Sequence, residues 1–128
     1  MLNRIIACGR MTADPELRHT QSGTAVASFS IACDRDFKNQ DGSRDTDFLD
    51  VVCWRNTAEY ADKYFSKGRA IIVTGRLQIR EYTDKAGNKR RAAEIVADNL
   101  YPADSIRKEE KFTSLPDDDS NLPWNELP

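Results

Sequence analysis

Residues 48–73 read FLDVVCWRNTAEYADKYFSKGRAIIV, and this stretch decides the fold class. Phe48–Trp54 is rich in valine and aromatic residues, the composition of a β-strand. At Asn56 the period changes. Asn56-Thr57-Ala58-Glu59 sets a capping residue three places ahead of a glutamate, which signals a helix start. Ala58, Ala61, Tyr64 and Phe65 then recur at helical spacing. Gly68 fits the helix C-cap, with Lys63 and Lys67 in the last turns. Ala70–Arg80, with Ile71-Ile72-Val73 inside it, returns to strand.

Upstream, the apolar run Leu2–Met11 is a first strand, closed by the turn at Asp14-Pro15. Gln21-Ser22-Gly23 is a second turn. Thr24–Cys33 then alternates, with Ala25, Ala27, Phe29, Ile31 and Cys33 on one face and Thr24, Ser28 and Ser30 on the other. Residues 36–45 are polar and contain the turn pair Asp41-Gly42. Downstream, Asp84-Lys85-Ala86-Gly87-Asn88 makes a hairpin turn, and Arg91–Ala97 is a fifth strand. Three strands, a helix and a two-stranded hairpin suggest an all-β OB-fold. This is a five-stranded Greek-key barrel with one helix between strands three and four, and its usual ligands are oligonucleotides or oligosaccharides.

The chain divides by composition. Residues 1–104 hold 16 Lys/Arg against 15 Asp/Glu, while residues 105–128 hold 3 against 6, so the acid excess sits in the tail. That tail has three prolines, three consecutive aspartates and few apolar groups, and is expected to be a short linker plus a disordered segment. No run approaches a membrane helix, and the first residues lack a signal-peptide pattern, so a cytoplasmic location is expected. Cys8, Cys33 and Cys53 are read as small buried residues. The lone His19 is read as a solvated surface group, so neither a metal nor a cofactor is expected.

Binding a single strand needs cations along the phosphates and flat faces on which bases stack. Phe37, between charges, and Tyr82, beside the hairpin turn, fit a core badly. Trp54 ends a strand next to Arg55. Phe48 and Trp54 read equally well as core residues or as platforms. Tyr60, Tyr64 and Phe65 read as helix packing. Arg76, Arg80, Lys85, Lys89, Arg90 and Arg91 cluster around one hairpin, diluted by Glu81, Asp84 and Glu94.

From Leu2 to about Pro102 the chain resembles the DNA-binding domain of bacterial single-stranded DNA-binding proteins. Asn3-Arg4-Ile5-Ile6, Gly9-Arg10, Asp14-Pro15-Glu16-Leu17-Arg18, residues 23–32, residues 58–68, Gly75-Arg76-Leu77 and residues 82–87 carry the likeness in order and spacing. The resemblance implies a non-enzymatic homotetramer that wraps single-stranded DNA without regard to sequence in replication, recombination and repair, in association with the nucleoid. It carries the stacking role onto Phe37, Phe48, Trp54 and Tyr82. The phosphate path falls on Arg4, Lys67 and Arg80, with Arg10, Arg18, Arg55 and Arg76 as neighbours. In the tail, Asp117, Asp118 and Asp119 followed by Leu122, Pro123 and Trp124 resemble the family's docking end for replication, recombination and repair proteins. One departure is plain: Asn125-Glu126-Leu127-Pro128 follow the proline-aromatic pair. Two other readings stand beside it, a primosomal or phage-type relative that shares the fold but acts mainly as a protein-interaction or loading factor, and a nuclease. The first has no need of four aromatics on one surface; the second needs clustered carboxylates, which the sequence scatters.

Overall fold

The computed structural model describes residues 1–104; the expected linker and acidic tail, with Asp117, Asp118, Asp119, Leu122, Pro123 and Trp124, lie outside the described residues. The described chain is mostly β with one short helix: β1 Ile5–Met11, β2 Glu16–His19, β3 Ala25–Asp34, β4 Thr46–Trp54, α1 Arg55–Tyr64, β5 Ala70–Thr83 and β6 Lys89–Pro102. The sheet order is β1-β5-β6-β4-β3-β2, and β1 pairs with β3 as well as with β5. All pairings are antiparallel except that of β4 with β6.

Alternation sets the core. Ile31, Val51, Cys53, Ile71, Val73 and Ile95 are fully buried, and Ala58, Ala61 and Phe65 of the helix segment join them. The helix contacts β2, β3, β4 and β6. Gly75 is needed where β5 crosses a register shift: a Cβ there would lie 2.1 Å from the Val96 carbonyl oxygen.

Several expectations need correction. Glu16–His19 is a strand, although it follows a proline turn; with only Leu17 half-buried it has no apolar period to display. The β5–β6 hairpin runs further than expected at both ends. Its outer arms, to Thr83 and from Lys89, are charged and exposed, so only the ladder defines them. At the other end β6 continues past Ala97 through Pro102, where it pairs with Ile71–Thr74 and buries Leu100. Asn56 is not the helix cap. Trp54 holds that position in extended geometry without a side-chain cap bond, and Arg55 at φ 56° turns strand directly into helix. A left-handed non-glycine residue costs about 1–2 kcal/mol. Gly68 is not the C-cap either. The helix ends at Tyr64, and Gly68, at φ 89°, donates its N–H to the Met11 carbonyl at 2.8 Å. Of the cysteines only Cys53 is buried, its thiol pushed up to about 12 by burial, whereas Cys33 is half-buried and Cys8 exposed.

The end of the described chain is pinned by Asp104. Its carboxylate accepts from Arg69 Nη2 at 2.9 Å and from the Ala70 N–H at 3.2 Å, while Arg69 Nη1 donates to the Tyr64 carbonyl at 2.8 Å. The Arg69 hydrogen bond holds the Asp104 carboxyl below its ordinary value of 3.8. A carboxylate depressed in the folded state stabilises above its unfolded pKa and loses that contribution as pH falls through the folded value. Asp104→Asn is therefore expected to lower stability by about 1 kcal/mol at pH 7. In urea titrations the difference from the parent should shrink as pH falls below about 4; a gap unchanged down to pH 2 would show that the ion pair is not its source.

Candidate nucleic-acid interface

With Val51 and Cys53 pointing inward, Phe48, Asp50, Val52 and Trp54 of β4 point outward. Register carries this face across the neighbours. Arg10, Ala32 and Phe48 form one row, and Arg18, Val26 and Trp54 another. Between them lie the row Ser30, Asp50, Glu94 and Gln78 and the row Ser28, Val52, Val96 and Arg76. Six residue steps along the strand separate Phe48 from Trp54 by about 20 Å. Phe48 is 69% exposed, Trp54 and Tyr82 43% and Phe37 72%, so none of the four is a core residue. Tyr60 and Tyr64 are partly exposed and pack along the helix face, on each other at 5.0 Å and, for Tyr60, on the buried Phe65 at 5.6 Å, as read.

A groove of about 550 Å³ follows the outer face, with Trp54 and Arg80 among its walls and Arg18, Ser28, Val52 and Glu94 beside them. A second groove of about 400 Å³ shares Ser28, Val52, Arg80 and Glu94 and continues past Asp50 to Asp14 and Glu16. The Arg80 guanidinium lies 5.5 Å from the Tyr82 ring centroid, a cation–π contact, and 3.8 Å from Glu94 Oε1. One cation thus links the aromatic at the hairpin to the groove that holds Trp54. The Ser30 hydroxyl donates to Asp50 Oδ1 at 2.7 Å.

The expected cations divide into separate places. Arg18 and Arg80 line the groove with Trp54. Arg10 shares a row with Phe48 but donates to the Gly68 carbonyl at 3.0 Å. Arg76 is exposed on β5 opposite Val96. Arg55 follows Trp54 at the strand–helix junction, exposed. Lys67 lies on the turn after α1, its backbone N–H held by Asp14 at 2.8 Å. Among the described residues Arg55, Lys67 and Arg76 have no carboxylate within ion-pair distance. Arg4 is paired with Asp98, whose carboxyl it holds below the ordinary range, with Thr74 as second donor. Neither Arg4 nor Lys67 lines the groove.

Phe37 sits on the connection between β3 and β4, outside the groove. The sequence reading assigned no site role to Val52, to Glu94, which it marked only as diluting the basic cluster, or to Ser28, which Arg18 contacts at 3.4 Å, yet all three line the groove. Val52 was available from the same period of two that placed Phe48 and Trp54. His19, read as solvated, is exposed on β2 and also borders the groove. Arg90 stands opposite Tyr82 but is drawn to Asp84 at 2.9 Å. Among the described residues no group of three or more metal-ligating side chains converges.

Exposed aromatics spaced along one sheet face, with arginines between and around them, make up the kind of surface on which single nucleic-acid strands stack. Comparison with known sequences agrees with that class. The pattern of the Single-strand binding protein family matches residues 2–103. The chain is 41% identical over 123 residues to Single-stranded DNA-binding protein 1 of Lactococcus lactis, covering 96% of this chain and 82% of that protein. It is 41% identical to the Single-stranded DNA-binding protein of Streptococcus pneumoniae, covering 100% of this chain and 85% of that one. Over 100 residues it is 49% identical to Single-stranded DNA-binding protein 1 of Staphylococcus aureus, covering 78% of this chain and 64% of that one. The chain belongs to the Single-strand binding protein family, a family of binding proteins rather than enzymes.

Trp54 is expected to report binding directly. Oligothymidine should quench its emission, and Trp54→Ala should weaken binding by about 1–3 kcal/mol. The emission is read in a chain truncated after Lys111, which removes Trp124. Unchanged emission during demonstrable binding would show that Trp54 is not stacked.

Proposed function

We propose that this protein binds single-stranded DNA without regard to sequence, with bases stacked on Trp54, Phe48, Tyr82 and Phe37 and phosphates met by Arg18, Arg80 and the other basic residues of the path. The observation that carries the reading is the groove in which Trp54, Arg18 and Arg80 meet. Stacking is indifferent to base identity, and phosphate contact is indifferent to sequence. The relatives named above, called single-stranded DNA-binding proteins, give independent support. The loading-factor reading leaves the exposed aromatics without a purpose. The nuclease reading lacks its machinery: among the described residues no group of three or more carboxylates or other metal-ligating side chains converges.

The proposal extends to architecture. Pairings run β1–β5–β6–β4–β3 and return to β1, which we read as the closed five-stranded Greek-key barrel of an OB-fold, with β2 continuing the first barrel strand beyond a turn. Ile6 and Cys8 are exposed on β1, and their rows continue through Thr74 and Asn99 and through Ile72 and Tyr101. An apolar strand face of this kind suits isologous pairing with a second copy, and we propose a homotetramer. We place the protein in the cytoplasm with the nucleoid, protecting strands in replication, recombination and repair. The acidic tail, through Asp117, Asp118, Asp119, Leu122, Pro123 and Trp124, would recruit processing partners by charge and apolar contact.

Titration with oligothymidine and with duplex of equal length tests the central reading. Single strands should bind far more tightly, with affinity falling as salt rises because bound cations release counterions. Equal affinity for duplex, or no salt dependence, would contradict it. The chain truncated after Lys111 should keep oligothymidine binding and, by light scattering, a mass several times that of one chain, while losing replication and repair proteins from host-lysate pull-downs. A monomeric mass would remove the oligomer, and an unchanged partner set the docking role.

A further inference from the structure

The connection between β3 and β4, residues 35–45, presents Phe37 at 72% exposure, so burial of the ring does little to fix it. Polar bonds hold the connection instead. Its arms are joined by backbone bonds from the Arg35 N–H to the Asp45 carbonyl at 2.9 Å and from the Asn39 N–H to the Ser43 carbonyl at 2.6 Å. Asp41 closes the tip, accepting from the Ser43 N–H at 2.9 Å and its hydroxyl at 2.6 Å. Arg35 makes a forked contact with Asp47, 3.0 Å and 3.2 Å to the two carboxylate oxygens.

Arg44 stands on the arm opposite Phe37. Its Nη1 donates to the Arg35 carbonyl at 3.1 Å and to the Asp36 carbonyl at 3.0 Å, the two peptide groups that precede Phe37. Among the described residues no carboxylate lies within ion-pair distance of it. A cation in a DNA-binding loop is ordinarily assigned to phosphate. Here the hydrogens of Nη1 are directed at the backbone.

We infer that Arg44 is a positioning residue for single-strand binding: by clamping the two carbonyls before Phe37 it holds that ring in a preset place for a base. The inference rests on the reading of Phe37 as a platform. An exposed loop left free would be ordered only on binding, and that ordering would subtract from affinity. A loop already clamped avoids the loss. The Arg35–Asp47 pair anchors the loop base, so the clamp works from a fixed frame.

A double-mutant cycle in the full-length protein tests this with oligothymidine. Phe37→Ala should weaken binding about 5- to 150-fold, the range for loss of one stacked base. Arg44→Ala should weaken it about two- to ten-fold, the effect of one newly mobile group. Phe37→Ala with Arg44→Ala should bind no worse than Phe37→Ala alone, because the clamp acts only through the ring. The slope of affinity against salt should be the same for Arg44→Ala and the parent, since no phosphate contact is lost. Additive losses with a shallower slope would make Arg44 a phosphate ligand and overturn the inference, leaving the platform intact. So would parent-like affinity of Arg44→Ala beside a weakened Phe37→Ala. An unaffected Phe37→Ala would remove the platform at this position and the inference with it. Arg44 is exposed on a loop, and unchanged thermal melts of each variant would separate these outcomes from misfolding.

Discussion

The outward placement of Phe48 and Trp54 depends on the burial of Val51 and Cys53, because side chains of one strand alternate strictly between faces. A slip of one residue in β4 would drive two large aromatics inward and expose the core, so packing fixes the register. The same register then places the other outward groups. β3 supplies Ser28 and Ser30, β6 supplies Glu94 and Val96, and β5 brings Arg76, Arg80 and Tyr82. The left-handed Arg55 belongs to this constraint. Strand passes into helix without a connecting loop, which leaves Trp54 at the last strand position, still on the ladder with Val26.

Charge on this face is distributed rather than abundant. The described chain carries one more cation than anions, and several arginines are already occupied: Arg4 by Asp98, Arg69 by Asp104, Arg90 by Asp84 and Arg35 by Asp47. Asp50 and Glu94 are register partners in the middle of the face, between the rows of Phe48 and Trp54. A phosphate over that pair would be repelled. Under the proposed function, bases would lie toward the sheet and phosphates would run beside Arg18 and Arg80. On that proposal the surface would draw affinity from stacking as much as from net charge, in keeping with a chain whose overall balance is acidic.

Much of the fold was legible where apolar alternation coincides with burial. The strand read at Thr24–Cys33 and found at Ala25–Asp34, the return to strand at Ala70 and the turn at residues 84–88 follow from side-chain pattern and turn chemistry. The sequence did not mark features set by the backbone. β2 and the outer arms of the hairpin are exposed ladders without an apolar period. The capping residues were misplaced because a cap signal at Asn56 was outweighed by direct passage from β4, and Gly68 serves a turn against Met11 instead of the helix end. For the site, sequence isolated four aromatics, and all four are exposed. It could not tell which cations are free, because ion pairs such as Arg4 with Asp98 join residues far apart in the chain. Nor could it show Arg44 turned onto the backbone beside Phe37.

The central claim is that the outer face of β3, β4 and the hairpin, rather than the apolar face of β1, receives the strand. Ultraviolet cross-linking of oligothymidine to the full-length protein, with the modified peptides sequenced, addresses it most directly. The account predicts adducts at Trp54, Phe48 and Tyr82, with Phe37 on the connected loop. Adducts confined to the face of Ile6, Cys8 and Tyr101 would contradict it.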